Sequence, residues 1–375
     1  MERIKHNIEI PNDIILINQV FKDNGFKLFI VGGAVRDSLL GEIPKDFDLA
    51  TDAIPDKVEE IMEQAGFKTL PTGKAFGVIN VFTESNEFEI STFREDGEYT
   101  NNRHPDSVTF GTMVEDSKRR DLTINALFFD LDTSEVVDLV GGVNDLKNNI
   151  IRTVGDASER FEEDRLRILR AARFSARFDA KLSNDIKISL IQDNNLNGIS
   201  AERIRDEFLK GIKSAKSVVK FMELLDGFEL FDWIFPNLVI NKKFIEDKDP
   251  ILVISTLLKD NDLTFLSNKL NKLTHPTSDI NKIMFLLMLH IIEEIDTVVA
   301  LKKSLIKCGV SSEQLFNFGI RNMIDGKLLN ALEDFELTVS GEDVMKEFNL
   351  KPSKELGNKI IELEIENFKK LLGIS

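Results

Sequence analysis

The 375-residue sequence is poor in residues on which several classes of protein depend. Cys308 is the only cysteine, which excludes an internal disulfide framework and predicts a reducing compartment, the cytoplasm. The four histidines are scattered along the chain and none is followed by aspartate. This pattern argues against an appended metal phosphohydrolase domain and against acid-base catalysis by histidine.

Long apolar runs are missing as well. The longest, residues 283–292, is too short to span a bilayer and contains His290. The first ten residues lack the apolar segment of a secretory signal, so no membrane association is expected. Tyr and Trp occur once each beside 28 Phe, a bias of composition that points to no function.

Acidic side chains outnumber basic ones, and the formal net charge is −16. Such a charge argues at first against a nucleic acid partner. The distribution is uneven, however, because residues 151–220 contain 15 Lys and Arg against 11 Asp and Glu. An RNA-binding strip on an otherwise acidic protein is therefore compatible with the composition.

The densest motif spans residues 28–51 and reads LFIVGGAVRDSLLGEIPKDFDLAT. Its apolar start predicts a short buried strand, the two glycines a turn, and the spacing from Ala34 a helix that ends at Gly41. Glycine allows a phosphate to approach the backbone, so Gly33 and Arg36 are candidate phosphate ligands. A plain strand-turn-helix connection with a surface arginine is the alternative.

Two carboxylates follow in the same stretch, Asp46 and Asp48. If a strand begins here, both project from one face, because side chains alternate along a strand. Adjacent carboxylates repel each other unless a cation lies between them, and Mg²⁺ prefers carboxylates together with phosphate oxygens. The spacing predicts a magnesium site, with a solvated loop as the commoner explanation of such a pair.

A third carboxylate, Glu89, lies on the second of two strands predicted over residues 78–82 and 88–93. If this strand pairs beside the aspartates, Glu89 completes a two-metal site. A surface glutamate on an edge strand explains the residue equally well. The polar residues 96–107 that follow are predicted to form a loop.

An arginine-rich helix is predicted over residues 162–178, with apolar residues buried and the arginines exposed. Asp164 and Arg167 are predicted to lie one turn apart. A carboxylate and a guanidinium together match cytosine and adenine, whereas uracil and guanine place a carbonyl against the carboxylate. The pair can therefore select C and A, unless the segment is only a basic amphipathic helix with an internal ion pair.

Taken together, these motifs resemble the tRNA nucleotidyltransferase and poly(A) polymerase family, in its bacterial and eukaryotic class within the polymerase-β-like superfamily. The resemblance is carried by residues 32–51, by EISTFR at 89–94, by RRDLTINAL at 119–127 and by EDRLR at 163–167. It implies an α+β fold, with a nucleotidyltransferase head built on a small mixed sheet, followed by an all-helical neck, body and tail. The expected boundaries are 1–150, 151–215, 216–300 and 301–375, and the tail is expected to bind tRNA.

The resemblance also implies the site residues. Asp46, Asp48 and Glu89 would be catalytic, with the two aspartates holding Mg²⁺. The nucleotide ligands would be Gly33, Arg36, Arg120, Asp164, Arg167, Arg170 and Arg173. Residues 200–212 would support the base-selecting helix from behind, and residues 138–142 would form a hinge after the head.

The implied activity is template-independent addition of C, C and A from CTP and ATP to the 3′ end of tRNA. Two departures concern the loop, where Asn101 and His104 replace the aspartate and arginine of the family pattern, and a third is Pro352-Ser353-Lys354 in the tail. A CC-adding or A-adding enzyme, a poly(A) polymerase and a catalytically inactive RNA-binding relative are the alternatives. The sequence is compatible with a monomer or a homodimer.

Overall fold

The computed structural model describes residues 1–97, 107–291 and 298–371. The chain divides into two compact units, Met1–Leu230 and Phe231–Ser375. The first unit contains the sheet, and helices make up the regular structure of the described part of the second. The predicted α+β class, with an N-terminal sheet followed by mainly helical regions, is confirmed.

The strands of the first unit are β1 (Glu2–Lys5), β2 (Leu28–Val31), β3 (Asp48–Thr51), β4 (Lys68–Gly73), β5 (Val78–Phe82), β6 (Glu87–Thr92), β7 (Arg94–Asp96), β8 (Val108–Phe110), β9 (Leu127–Asp130), β10 (Glu135–Asp138), β11 (Ile150–Ile151) and β12 (Lys181–Leu182). Its helices are α1 (Asn12–Asp23), α2 (Gly33–Leu39), α3 (Pro55–Gln64), α4 (Met113–Lys118), α5 (Gly142–Lys147), α6 (Ala157–Glu163), α7 (Leu166–Phe178), α8 (Asn184–Gln192), α9 (Ala201–Ser214) and α10 (Val218–Gly227). Short 3₁₀ turns occur at Lys74–Phe76 and Thr123–Asn125.

Eight strands form one mixed sheet in the order β1-β10-β9-β2-β3-β6-β5-β4. Only the β3–β6 pair of this described sheet is parallel. The all-apolar strand β2 lies in the interior of the sheet, as its four buried residues require. The parallel pair aligns Leu49 with Ile90. The residues that precede them, Asp48 and Glu89, are therefore neighbours across two strands.

The sheet has apolar clusters on both faces because successive β2 side chains point in opposite directions. Leu28 and Ile30 belong to the larger cluster, which includes buried residues of α1 and α3. Phe29 and Val31 belong to a smaller cluster with Phe93, Phe128 and others. The second cluster lies beneath the strand ends that carry the candidate site.

The apolar face formed by Ile14, Ile17, Val20 and Phe21 predicts one helix over residues 1–27. This prediction is wrong for Glu2–Lys5. These residues pair antiparallel with β10 at the edge of the sheet, and helix begins only at Asn12. The Arg3 guanidinium binds the Asp130 and Glu135 carboxylates at 3.3 and 3.0 Å. The edge of a distant strand supplies the backbone hydrogen bonds here, so local periodicity could not reveal it.

The predicted loop over residues 96–107 begins and ends in a two-stranded ribbon, β7 with β8. Its central residues, 98–106, which include Asn101 and His104, lie outside the described residues. Residues 138–142 run from the end of β10 to the first residue of α5, within the first unit. The Asp138 carboxylate accepts hydrogen bonds of 2.9–3.2 Å from the N–H groups of residues 140–143. A hinge function for this stretch stays a prediction.

The helices of the second unit are α11 (Phe231–Ile234), α12 (Pro250–Leu257), α13 (Leu263–Lys272), α14 (Thr277–His290), α15 (Val298–Cys308), α16 (Ser312–Arg321), α17 (Gly326–Asp334), α18 (Gly341–Phe348) and α19 (Lys354–Leu371). Pro250 is the first residue of α12 and Pro276 precedes α14, as expected of prolines at helix starts. Within the described part of the chain, no helix has the length and apolar character needed to cross a bilayer.

Candidate active site

Three carboxylates lie at one end of the β3–β6 pair. Asp48 is the first residue of β3, Asp46 lies two residues before it, and Glu89 lies on the neighbouring strand. All three side chains are accessible from solvent. The described residues form no hydrogen bond or ion pair with them. Negative charge is therefore concentrated here without a direct partner.

The electrostatics of this group are unfavourable for ionised carboxylates. The surrounding protein removes part of the hydration of Asp48 and raises its pKa, Arg120 opposes this rise, and the charge of Asp46 adds to it. Partial desolvation also raises the pKa of Glu89, and the negative charges of Asp48 and Glu87 raise it further. A bound cation would relieve both the repulsion and the lost hydration.

The donor set suits a hard divalent cation, since carboxylate oxygens are its preferred ligands. Among residues 1–97, 107–291 and 298–371, however, no three His, Cys, Asp or Glu side chains are grouped closely enough to hold a metal ion. Asp46 precedes the strand and is not held by the sheet pairing. The site is thus an open one, in which further oxygen ligands would have to complete the coordination shell.

A glycine turn lies close to two arginines. Gly32 has φ +70° and immediately precedes α2, and a Cβ atom placed on it would lie 3.6 Å from Nη1 of Arg120. A Cβ atom on Gly33 would lie 3.6 Å from Nη2 of Arg36. The predicted nucleotide ligands Gly33, Arg36 and Arg120 therefore come together, although they are up to 87 residues apart in the sequence.

Arg36 is not the exposed side chain that a simple phosphate ligand would be, since it is only 4% exposed. Its guanidinium contacts the Asp37 carboxylate at 2.7 Å and donates to the side-chain oxygen of Asn125. It also faces the rings of Phe174 and Phe178, 5.0 and 5.1 Å from their centroids. Burial lowers the pKa of Arg36, against the attraction of Asp37.

Sequence reasoning missed Asp116, a fully buried carboxylate in α4. It binds Arg119 and Arg120 at 2.7 and 2.9 Å. Burial by itself raises the pKa of Asp116, but the two guanidiniums outweigh burial and lower it. The signal was present in the sequence as a carboxylate three and four positions before an arginine pair on a short helix.

The helix predicted over residues 162–178 is two helices, α6 and α7. Asp164 and Arg167 lie one turn apart, as predicted, and the Arg167 N–H donates to the Asp164 carbonyl at 3.0 Å, but their side chains bind other partners. Asp164 is extended, with φ −148°, and accepts a hydrogen bond from the Leu166 N–H. Its other oxygen binds Arg203 of α9 at 2.8 Å. Arg167 binds Glu163 instead. An aspartate competes for local backbone donors in this way just before an apolar helix.

The predicted row of exposed arginines is also corrected, because Arg167 and Arg173 are buried. Arg173 binds Glu207 of α9, a residue that sequence reasoning missed. Arg170 binds Asp121 at 2.7 Å. Burial by itself raises the pKa of Asp121, but the charge and hydrogen bond of Arg170 help to lower it to about 2. Each predicted arginine ligand on α7 thus has a carboxylate partner.

Comparison with known proteins places these features in a family. The model of the poly A polymerase head domain matches residues 28–152, and that of a probable RNA and SrmB-binding site of polymerase A matches residues 190–240. A CCA-adding enzyme of Lactobacillus helveticus is 33% identical over 372 residues, which cover 93% of this chain and 91% of that protein. The chain belongs to the CCA-adding enzyme family.

Other CCA-adding enzymes agree with this assignment, and the predicted family is confirmed. The enzyme of Ligilactobacillus salivarius is 32% identical, and the match covers 95% of each chain. The crystal structure of the Bacillus stearothermophilus CCA-adding enzyme with CTP matches with a TM-score of 0.70 and 25% identity, over 94% of this chain and 91% of that one. The Thermotoga maritima CCA-adding enzyme complexed with tRNA, at 22% identity and a TM-score of 0.71 over 98% and 93%, shows the same fold.

Proposed function

We propose that this chain adds C, C and A to the 3′ end of tRNA from CTP and ATP, with release of pyrophosphate. The observation that carries the proposal is the joint position of Asp48 and Glu89 at one end of β3 and β6, in a chain that matches CCA-adding enzymes along nearly its whole length. No nucleic acid template is required, because the protein itself presents the base-selecting groups.

Asp46 and Asp48 would hold Mg²⁺, with Glu89 beside them. Bound there, the metal supplies activation of the tRNA 3′-hydroxyl and neutralisation of the triphosphate and leaving pyrophosphate. The raised pKa values of Asp48 and Glu89 support this role, since desolvation and neighbouring carboxylates disfavour their ionised forms, at Asp48 in spite of the attraction of Arg120. The open coordination described above leaves room for substrate oxygens.

The triphosphate would lie against the glycine turn. Gly33 permits close approach of the phosphates to the backbone, and Arg120 supplies a guanidinium beside the preceding Gly32. Arg36 provides positive charge from below the surface. Arg170 and Arg173 supply further guanidiniums along α7. Their carboxylate partners hold the guanidiniums in fixed positions, which lowers the entropy cost of binding.

Asp164 and Arg167 would select the incoming base. Each is held by a partner other than the base, Asp164 by Arg203 and Arg167 by Glu163. A carboxylate oxygen keeps a second lone pair, so Asp164 can still accept from the exocyclic amino group of C or A. Arg167 also donates to the backbone carbonyls of Arg160 and Arg119, which fixes the direction of its guanidinium.

Product length on tRNA lacking its 3′ end, with Mg²⁺ and CTP, ATP or both, tests the proposal. Growth by two nucleotides with CTP alone and by three with both is expected. A long ladder with ATP alone would instead indicate a poly(A) polymerase, and a halt after two additions with both present a CC-adding enzyme. Extension only of tRNA that already ends in CC would indicate an A-adding enzyme, and bound but unextended tRNA an inactive relative.

We also propose a cytoplasmic location, supported by the single cysteine, Cys308. Monomer and homodimer remain the two proposed states of assembly. Light scattering of the purified chain at several concentrations distinguishes the two states.

A further inference from the structure

The ring of Phe174 lies where arginines from two parts of the first unit meet. The guanidinium carbons of Arg173, Arg36 and Arg170 are 4.1, 5.0 and 5.6 Å from its centroid. Arg36 comes from α2, and the other two from α7. Phe174 is buried, with 4% exposure. Three candidate phosphate ligands therefore share one aromatic side chain.

A second ring continues the arrangement. Phe178 stacks on Phe174 with a centroid separation of 5.9 Å and an interplanar angle of 9°. Arg36 lies 5.1 Å and Arg177 4.9 Å from the Phe178 centroid. Arg36 is thus in contact with both rings.

Guanidiniums gathered in this way repel one another. Burial lowers the pKa of Arg36 in spite of Asp37, and the charges of Arg177 and Arg173 lower it further. Carboxylates relieve part of this repulsion, since Arg170 has Asp121 as its partner. A carboxylate, however, also repels an incoming triphosphate.

An aromatic ring attracts cations without carrying negative charge. The negative face of its quadrupole attracts a guanidinium, and the attraction strengthens where water is excluded. Asp37, Asp121 and Glu207 already pair with Arg36, Arg170 and Arg173. The ring holds these arginines close together without adding a further negative charge that would repel phosphate. An aliphatic side chain of similar size offers no such attraction.

We propose that Phe174 is a positioning residue that holds Arg36, Arg170 and Arg173 together as one triphosphate-binding group. The inference rests on the proposed function, because it names the part of that site that orders its phosphate ligands. Phe174 is buried and contacts the arginines, so it would act on the nucleotide through them. Its loss is therefore expected to weaken nucleotide binding without changing which base is selected.

The test compares Phe174→Leu with wild type in nucleotide addition and in calorimetric binding of CTP without tRNA. We expect KM for CTP and ATP and the Kd for CTP to rise together, by about tenfold, as displaced cation–π contacts predict. Because the arginines act alike before and during reaction, kcat should stay within about twofold. The preference for C and A over U and G should not change.

Phe221→Leu is the matched control, since Phe221 is a buried phenylalanine of α10 that packs on Phe208. It loses a ring of the same size in the same unit, so its KM values should stay near those of wild type. Phe174→Tyr keeps the π face and should retain a low Kd. Phe174→Met replaces Phe174→Leu if the latter does not fold.

Unchanged KM and Kd values in Phe174→Leu would overturn the inference. So would an increase of these values in Phe221→Leu or in Phe174→Tyr that equals the increase in Phe174→Leu. A different result would refute the proposed function, namely that the wild-type protein does not extend tRNA. In that case the CTP Kd still decides the inference, and wild type that binds no CTP overturns both.

Discussion

At the scale of single residues, the acidic and basic side chains of the candidate site differ in whether they have an ion-pair partner. The carboxylates of Asp48 and Glu89 have raised pKa values and no direct partner among the described residues. The arginines around them are each bound to a carboxylate, as Arg170 is to Asp121. The carboxylates of Asp48 and Glu89 can therefore bind a metal, whereas the arginines are already held in position by their carboxylate partners. Three predictions follow from this difference.

Replacement of Asp48 by asparagine should abolish transfer and yet not destabilise the protein. Loss of a metal ligand is expected to lower kcat at least about a thousandfold. Because the charged form is disfavoured in the folded state, the neutral amide should leave Tm equal or higher without Mg²⁺. Differential scanning calorimetry with and without Mg²⁺ checks this, and Mg²⁺ should raise the Tm of wild type but not that of Asp48→Asn.

Asp185→Asn is a suitable control for that experiment, since Asp185 is an exposed aspartate on α8. It should keep both transfer and the Mg²⁺-dependent rise in Tm. Normal transfer by Asp48→Asn would refute the metal assignment.

Replacement of Arg167 by alanine should relax base selection. Each unpaired buried group costs about 1–3 kcal/mol, so discrimination of CTP against UTP should fall about tenfold or more. Competition between the two nucleotides in single additions measures it. Arg165→Ala, which removes a neighbouring arginine bound to Asp193, is the control and should keep the preference. An unchanged preference in Arg167→Ala would contradict the role of the protein as template.

Replacement of Asp121 by asparagine should destabilise the fold in a pH-dependent manner. The pKa of Asp121 is about 2 against an ordinary 3.8, so its ion pair stabilises the folded state above about pH 4. The expected loss is roughly 2 kcal/mol at pH 7. As pH falls toward 2, wild type becomes protonated and the difference should shrink. Urea unfolding of both proteins at several pH values measures it, and a constant difference would contradict the assignment.

At the scale of elements, close backbone contacts hold the site together. Helix α5 packs on the Thr123–Asn125 turn, whose Asn125 binds Arg36. A Cβ atom on Gly142 would lie 2.2 Å from the Thr123 carbonyl oxygen. Position 142 therefore requires glycine, because the backbone of Thr123 lies too close for a side chain. The clash involves a backbone atom, so a change of side-chain rotamer cannot relieve it.

Gly142→Ala should accordingly lower the free energy of unfolding by about 2–3 kcal/mol and raise KM for nucleotides, because Asn125 moves with its turn. Chemical denaturation and initial rates measure the two effects. Gly357→Ala is the matched control, since that helical glycine has no atom within 4 Å of an added Cβ. It should gain about 0.5–1 kcal/mol. Equal behaviour of the two variants would argue against the backbone contact.

At the scale of the whole molecule, every predicted ligand of metal and nucleotide lies in the first unit, Met1–Leu230. Produced alone, residues 1–230 should fold cooperatively and bind CTP with a Kd within about threefold of the full chain, because these predicted ligands lie in that compact unit. Affinity for tRNA should fall, since the tail that is predicted to bind tRNA is lost. Calorimetry and filter binding measure the two constants. Loss of CTP binding by a folded fragment would contradict the division of roles.

Much of the fold could be predicted because local patterns carry it. Strands 28–31 and 78–82 and helix α3 agree with their apolar spacing. The partners of the arginines could not be predicted, because they come from distant parts of the chain. Arg177 reaches Asp37, 140 residues away, and Arg173 reaches Glu207.

The sequence by itself determined the residue types of the site and their order along the chain, from the glycine turn to the arginine-rich helix. These follow from short-range rules of spacing and chemistry, which need no knowledge of the fold. Only the tertiary structure decided that β1 closes the sheet edge, that Asp164 binds Arg203, and that Arg36 is buried between two rings. The reason is physical: these contacts depend on strand pairing and packing between segments far apart in sequence, and such contacts leave no period in the chain.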